Sequence, residues 1–164
     1  MKKIDLLLNE YGESHKNKTN KLIHWICVPS IFFSIVALVW SIPLGPLESI
    51  KINSFQYINW ATLAISMVFL YYIKLSPLLS LGMMVFSAIC LFITNYLENL
   101  IINGEINFQL WLIALIVFII SWIIQFIGHE IEGKKPSFLK DLQFLLIGPA
   151  WLMHFIYKKL NIKY

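Results

Sequence analysis

Long runs of apolar residues without a charge constrain this chain more than any other feature. The most apolar run, residues 108–127, contains no Asp, Glu, Lys or His. A helix of about 20 such residues spans the hydrocarbon core of a bilayer. Composition agrees, because 59% of the residues are hydrophobic and 13% are charged, against about a quarter charged in a soluble domain. The 164 residues are therefore predicted to form a single multi-pass membrane domain, residues 1–164.

Four apolar runs predict four transmembrane helices. They cover residues 22–42, 56–73, 77–97 and 108–127. Pro29 lies within the first run and is expected to kink that helix. Only a short turn separates the second run from the third, so these two helices should be antiparallel neighbours.

The two ends of the chain carry weaker helical patterns. Residues 2–15 place an apolar stripe at helical spacing, which predicts an amphipathic helix on the membrane surface; the stripe is Ile4, Leu7, Leu8, Tyr11 and His15. The last apolar stretch, residues 142–157, is short for a span and is interrupted by Gly148 and Pro149. It predicts a C-terminal re-entrant or interfacial helical hairpin. The fold class expected is all-α integral membrane.

Lysine positions predict the orientation. All thirteen basic residues are lysines, and most lie in residues 1–21, in the loop after the fourth run and in the C-terminal tail. The loop after the third run holds glutamates and no lysine. Since basic loops stay on the cytoplasmic side, four spans with both termini cytoplasmic fit, as in a bacterial inner membrane. Lysines that flank apolar runs do not form the stripe that binds nucleic acid.

Four histidines are the one group of residues in the sequence that could form a reactive or metal-binding site. Under this topology His15, His24, His129 and His154 all lie at the same membrane face. Neutral imidazole is the commonest metal ligand in proteins, and several imidazoles from separate helices can build a first-row metal site. His15 and His24 can converge only if residues 16–21 form a turn, because nine residues of continuous helix would place them on opposite faces.

Polar neighbours of these histidines could support such a site from behind. Asn20 precedes His24 by four residues, Gln125 precedes His129 by four, and Glu132 follows His129 by three. An opposing interpretation is that each histidine is an amphipathic anchor at the membrane surface. The HExxH, GxSxG and phosphate-loop motifs are absent from the sequence, so the residues by themselves name no activity.

Three segments nevertheless carry a resemblance to a known family. They are Tyr11-x-x-x-His15-x-x-x-x-Asn20-x-x-x-His24, then Trp122-x-x-Gln125-Phe126-x-Gly128-His129 with Glu132-Gly133-Lys134-Lys135-Pro136, and finally Leu139 through Pro149. Over essentially its whole length the chain resembles the small membrane 2-hydroxy fatty acid dioxygenases. That family is typified by the fungal enzyme of phytosphingosine breakdown and was long classed as a domain of unknown function.

The resemblance implies a multi-pass enzyme that uses ferrous iron, Fe(2+), and O₂ to shorten a 2-hydroxy fatty acid by one carbon, the reaction of fatty acid α-oxidation. It implies three catalytic metal ligands, His15, His24 and His129, with His154 as a further metal ligand. Five residues are expected either to support the metal ligands or to bind substrate: Asn20, Gln125, Glu132, Lys134 and Lys135. The expected partners are the 2-hydroxy fatty acid, O₂ and the lipid bilayer.

Other classes of protein remain open at this point. A small transporter should hold polar residues in mid-membrane, where the second to fourth runs offer little beyond Ser66, Ser87 and Ser121. A non-catalytic membrane scaffold would leave the histidines as anchors. A zinc hydrolase is a further possibility, since imidazoles suit zinc as well. Substrate chain length and oligomeric state do not follow from the sequence.

Overall fold

The computed structural model describes residues 2–49, 58–133 and 144–164. Every regular element within these residues is helical, which confirms the all-α prediction. The α-helices are α1 (Lys3–Glu13), α2 (Lys18–Trp40), α3 (Trp60–Leu75), α4 (Pro77–Ile102), α5 (Leu110–Glu132) and α6 (Ile147–Lys159), with a short 3-10 helix at Gly45–Ser49.

Helices α2 to α5 run alternately up and down. At one end, here called the far end, Trp40 at the end of α2 donates a hydrogen bond to Glu98 of α4. There, too, Trp60 at the start of α3 donates to the carbonyl of Pro43. Only Ser76 separates α3 from α4, so α3 returns to the near end, where α2 begins and α5 finishes. The antiparallel α3–α4 pair matches the sequence prediction.

Three of these helices are long and apolar enough to cross a membrane. They are α2, α4 and α5, with 23, 26 and 23 residues. The second predicted span corresponds to α3, which has 16 residues and measures about 24 Å at 1.5 Å per residue. That is shorter than a hydrocarbon core of about 30 Å, so the fourth crossing stays a prediction.

The closest packing in the bundle joins α2 to α5 near the histidines. A Cβ atom placed on Gly128 of α5 would lie 2.6 Å from Oδ1 of Asn20 on α2. Glycine at such a crossing lets two helix backbones approach, as is common between helices in membranes. The pairing continues to the far end through buried Ala37 and Ala114.

Helix α1 is amphipathic, as predicted, and its apolar stripe packs on protein. Ile4, Leu8 and Tyr11 are buried in one cluster with Ile147 and Trp151 of α6. Burying such side chains contributes about 1.5–3 kcal/mol each. Helices α1 and α6 therefore form a pair that covers the near end of the bundle.

The C-terminal region differs from the predicted hairpin in its described part. Gly148 and Pro149 lie in the first turn of α6 and do not interrupt it, because proline lacks only an N–H that the first turn leaves unpaired. Residues 134–143, which would include part of the first arm, lie outside the described residues. The hairpin is not confirmed. Helix α6 packs at the near end, where Tyr157 donates to the carbonyl of Leu78 at 2.9 Å.

Helix α5 continues beyond the end that the sequence predicted. The charged loop was expected from Gly128, whereas the helix runs to Glu132 and stops at Gly133. Gly133 has φ 74°, the left-handed conformation that glycine adopts after a helix. The extension places His129 and Glu132 on a rigid element.

Candidate metal centre

Three of the four histidines converge at the near end of the bundle. His15 follows α1, His24 lies in the second turn of α2, and His129 lies in the last turn of α5. One ring nitrogen of each can be chosen so that all three lie within 4.8 Å of one another. The side chains are buried, with exposed fractions of 3%, 0% and 4%.

A tight turn between α1 and α2 makes this convergence possible. Helix α1 ends at Glu13, and α2 begins at Lys18. Asn17 caps α2, because its side-chain oxygen accepts from the backbone N–H of Thr19 at 2.8 Å, which stabilises a helix start. The turn covers residues 14–17. The predicted break at residues 16–21 was therefore placed too late, since residues 18–21 already belong to α2.

Backbone carbonyls fix the tautomers of His15 and His24. Nδ1 of His15 lies 2.6 Å from the carbonyl oxygen of Tyr11, and Nδ1 of His24 lies 2.9 Å from that of Asn20. A carbonyl oxygen can only accept, so each Nδ1 carries the proton and donates. In a neutral ring each Nε2 then holds a free lone pair, which is how ligand histidines are oriented in metal sites.

The two Nε2 atoms face each other at 2.9 Å. Two unprotonated nitrogens at this distance repel unless a cation lies between them. Two nitrogens that each bind one first-row metal ion at about 2.1 Å would lie roughly 3.0–3.4 Å apart, depending on the coordination geometry. The observed separation fits a shared metal ion.

His129 adds a third nitrogen to the same point. Its ring centroid lies 5.3 Å from that of His15 and 4.9 Å from that of His24. Both of its ring nitrogens are buried without a hydrogen-bond partner among the residues that the structure describes. An unpaired buried imidazole is costly, and binding a metal ion would satisfy it. The three residues therefore fit a metal by geometry and by donor type.

Burial also favours the neutral, metal-binding form of His15. It lowers the pKa of His15, although the hydrogen bond to the Tyr11 carbonyl and the charge of Glu132 act in the opposite direction. The ordinary histidine pKa is about 6.5, so His15 is neutral at neutral pH. Neutral imidazole is the form that binds metal.

Glu132 supports the turn that carries His15. Its carboxylate accepts hydrogen bonds from the backbone N–H groups of Lys16 at 2.7 Å and Asn17 at 2.9 Å, and from Nδ2 of Asn20 at 3.0 Å. Nδ2 of Asn20 also donates to the carbonyl of Ser14 at 3.2 Å. Asn20 and Glu132 thus lie behind the histidines.

Gln125 lies one helical turn before His129 and is buried. Its side-chain oxygen has no hydrogen-bond partner in the described part of the chain. The amide borders a small cavity beneath the histidines together with Tyr11 and Val28. Lys134 and Lys135, the remaining residues expected to bind substrate, lie outside the described residues.

His154 is the one histidine that the structure does not bring into the cluster. It lies on α6, where its Nδ1 is hydrogen-bonded to the hydroxyl of Tyr164. It borders the same surface cleft as His15, and so all four histidines lie at the near end. The group of possible ligands contains only His15, His24 and His129 within the described ranges.

An open cleft leads from the surface to His15. It has a volume of about 440 Å³ and lies between α1 and α6. Trp151 and Phe155 give it an apolar wall, whereas Lys16 and Lys21 line its polar side. Asp5 and Glu13 line it as well, so the cleft is mainly a charged entrance to His15.

Two aromatic residues of the site were not predicted as site residues. The ring of Tyr11 stacks on that of His15, with centroids 4.3 Å apart and planes at 14°. The ring of Trp151 lies 5.3 Å from His15. Tyr11 shares the i−4 spacing that singled out Asn20 and Gln125, a signal that could have found it. No local pattern connects Trp151 to a residue in α1.

Hydroxyl groups on the apolar helices bond to their own backbone. Buried Ser34 and Thr94 and exposed Ser66 each donate to a carbonyl of their own helix at 2.8 Å. Serine and threonine commonly bond back in this way within helices. This arrangement does not favour the transporter interpretation.

The chain is similar to known proteins over nearly its whole length. Residues 1–160 match the family described as "2-hydroxy-palmitic acid dioxygenase Mpo1-like". The chain is 27% identical over 154 residues to the 2-hydroxy-palmitic acid dioxygenase MPO1 of Saccharomyces cerevisiae. The aligned residues cover 92% of this chain and 78% of the yeast protein. No solved structure matches the chain. Since the match covers nearly every residue, this chain belongs to the 2-hydroxy-palmitic acid dioxygenase Mpo1-like family.

Proposed function

We propose that this protein is an Fe(2+)-dependent dioxygenase that shortens 2-hydroxy fatty acids by one carbon. The observation that supports this most directly is the buried group of His15, His24 and His129, whose ligand atoms lie within 4.8 Å of one another. The yeast relative is named for the same substrate class. An all-imidazole donor set suits several first-row metals, and among them iron suits the dioxygenase chemistry for which the family is named.

The reaction balances without an external reductant. One 2-hydroxy acid and one O₂ give the acid shortened by one carbon, one CO₂ and one H₂O. The bond between C1 and C2 breaks, C1 leaves as CO₂, and C2 becomes the new carboxyl carbon. Iron held by the histidines would supply the activation of O₂ and coordination sites for the hydroxyl and carboxylate oxygens.

The protein's own residues would position and shield the reacting end. Lys16 and Lys21 line the cleft beside His15, and their charges would attract a carboxylate. Tyr11 and Trp151 form an aromatic wall against His15, which limits access of water to the reacting carbon. Gln125 offers an unsatisfied amide oxygen beneath the histidines, able to accept a hydrogen bond from a substrate hydroxyl.

We place this site at the cytoplasmic face of a bacterial inner membrane, with both termini on that side. Nζ of Lys2 donates to the carbonyl of Tyr164 at 2.7 Å, so the two ends of the chain lie together. Lysines are concentrated at those ends, and lysine-rich segments remain cytoplasmic. A fatty acid that arrives from the membrane can there bring its head group to the histidines.

Elemental analysis and an oxygen electrode test the proposal together. Protein purified anaerobically should contain about one iron per chain, as expected for a single three-histidine site. With 2-hydroxypalmitate it should consume O₂ and release CO₂ and pentadecanoic acid in equal amounts. Protein that binds zinc alone and consumes no O₂ after loading with Fe(2+) would contradict the assignment.

A further inference from the structure

A small cavity lies directly beneath the histidines. Its volume is about 20 Å³. Its lining includes one residue four positions from each histidine: Tyr11 before His15, Val28 after His24 and Gln125 before His129. The cavity therefore continues the metal centre toward the membrane interior.

A second, wholly apolar cavity lies between α2 and α3. It has a volume of about 80 Å³ and is lined from α2 by Phe32, Val36 and Val39, and from α3 by Ala64. Leu145 borders both this cavity and the smaller one. The two spaces therefore meet the same side chain and are neighbours.

The residues of α2 that line these cavities form one continuous stripe. Val28, Ile31 and Ile35 follow His24 by four, seven and eleven residues, the spacing that keeps side chains on one helix face. The eleven residues from His24 to Ile35 span about 17 Å. Half of a bilayer's hydrocarbon core, which the acyl chains of one leaflet fill, is about 15 Å thick. The stripe is therefore as long as a long acyl chain.

We propose, on the basis of the function proposed above, that this line of cavities is the acyl-chain subsite of the enzyme. The hydroxyl and carboxylate of the 2-hydroxy acid lie at the histidines. The first methylene groups pass between Val28 and Gln125. The methyl end enters the cavity between α2 and α3, where Ala64 limits the chain length that fits.

The position of the apolar cavity indicates that its occupant is the acyl chain. It adjoins the space under the three histidines through Leu145, and an acyl chain joined to a head group at the histidines must leave that point through the bundle or through the surface cleft. The cleft is lined partly by charged residues, including Asp5 and Glu13, which disfavour a long alkyl chain. The bundle route is apolar throughout its deeper part.

Chain-length specificity tests the subsite. Ala64→Phe fills the cavity, so kcat/KM for 2-hydroxy acids of 16 and 18 carbons should fall at least 10-fold relative to that for 8 carbons; excluding even one methylene from such a pocket changes specificity by about 10- to 200-fold. Ala88→Phe is the matched control, since Ala88 is exposed on α4; its chain-length profile should equal that of the wild type. An unchanged profile in an active Ala64→Phe enzyme would overturn the subsite.

A second variant and a direct label keep the test informative if Ala64→Phe does not fold. Val39→Ala lengthens the cavity and should move the preferred substrate toward longer chains. A 2-hydroxy fatty acid with a diazirine at its methyl end should photolabel residues 32–39 or 61–68 of metal-free protein. Label found only on the exposed faces of α4 and α5 would reject the subsite. Absence of turnover in wild-type protein with that internal label would instead reject the oxidation chemistry.

Discussion

Glu132 Oε2 accepts a hydrogen bond from Nδ2 of Asn20 at 3.0 Å, and this bond ties the end of α5 to the start of α2. The same carboxylate accepts from the backbone of Lys16 and Asn17. Residues 112 to 116 positions apart are thereby joined behind the histidines. The carboxylate holds the turn after His15 and the first turn of α2 in one arrangement.

Glu132→Ala should weaken metal binding without removing a ligand. Supporting residues behind metal ligands typically contribute 10- to 100-fold in affinity, so iron should be lost to a competing chelator at a correspondingly lower concentration. Glu132→Gln retains an acceptor oxygen and should show a smaller loss. Glu130→Ala removes an exposed carboxylate from the same helix and serves as the control. Equal affinities in Glu132→Ala and Glu130→Ala would exclude this supporting role.

Gly128→Ala should destabilise the junction of α5 with α2. The added Cβ would lie 2.6 Å from Oδ1 of Asn20, whose amide is held by Ser14 and Glu132. Overpacking of this kind costs about 1–3 kcal/mol and should lower the melting temperature and the iron content. Gly12→Ala, where a Cβ meets Trp151 at an ordinary 3.4 Å, should leave both unchanged or raise stability slightly. The prediction fails if the two variants behave alike.

Replacing single histidines should show that the three clustered histidines bind iron and that His154 does not. His15→Ala, His24→Ala and His129→Ala each remove one of three converging nitrogens and should abolish iron binding and O₂ uptake. His154→Ala removes only a side chain hydrogen-bonded to Tyr164, so about one iron per chain should remain. Loss of iron in His154→Ala, with the helical content intact, would require a fourth ligand and a rearranged α6.

Metal removal should lower thermal stability through the same site. A ligand that binds only the folded state at 100 times its dissociation constant stabilises it by about 2.7 kcal/mol. Chelation should therefore reduce the melting temperature of the wild type measured in detergent. His129→Ala lacks one of the three proposed ligands, and its melting temperature should not respond to the chelator. Identical shifts in both proteins would show that the chelator acts elsewhere.

Sequence patterns predicted the helices and the end at which the histidines lie. Both follow from one requirement: backbone polar groups in a bilayer must be paired within helices, so alternating spans return every second boundary to the same face. His24 opens a span and His129 closes one. Their proximity was therefore predictable, whereas their 4.9 Å separation depends on the close approach at Gly128.

Contacts between distant segments could not be predicted in this way. Trp151 meets His15 because α6 packs on α1, and no periodicity in either segment specifies the other. Helix α5 extends beyond its predicted end at residue 127 to Glu132. Hydropathy indicates only where an apolar run ends, and polar residues such as His129 and Glu132 can continue a helix past that point. The short α3 also shows that an apolar run is not equivalent to a helix of the same length.

Side-specific labelling should establish whether α3 makes the fourth crossing. Lys2 and Tyr164 are hydrogen-bonded, so cysteines introduced as Lys3→Cys and Lys163→Cys should react with an impermeant thiol reagent from one side of sealed vesicles. Asn103→Cys, in the loop after α4, should react only from the other side. If α3 crosses, Lys74→Cys at its end should react on the same side as Lys3→Cys. Native Cys27 and Cys90 are buried and give little background. Reaction of Lys74→Cys from the side of Asn103→Cys would reject the four-span topology, and with it the common face that the site requires.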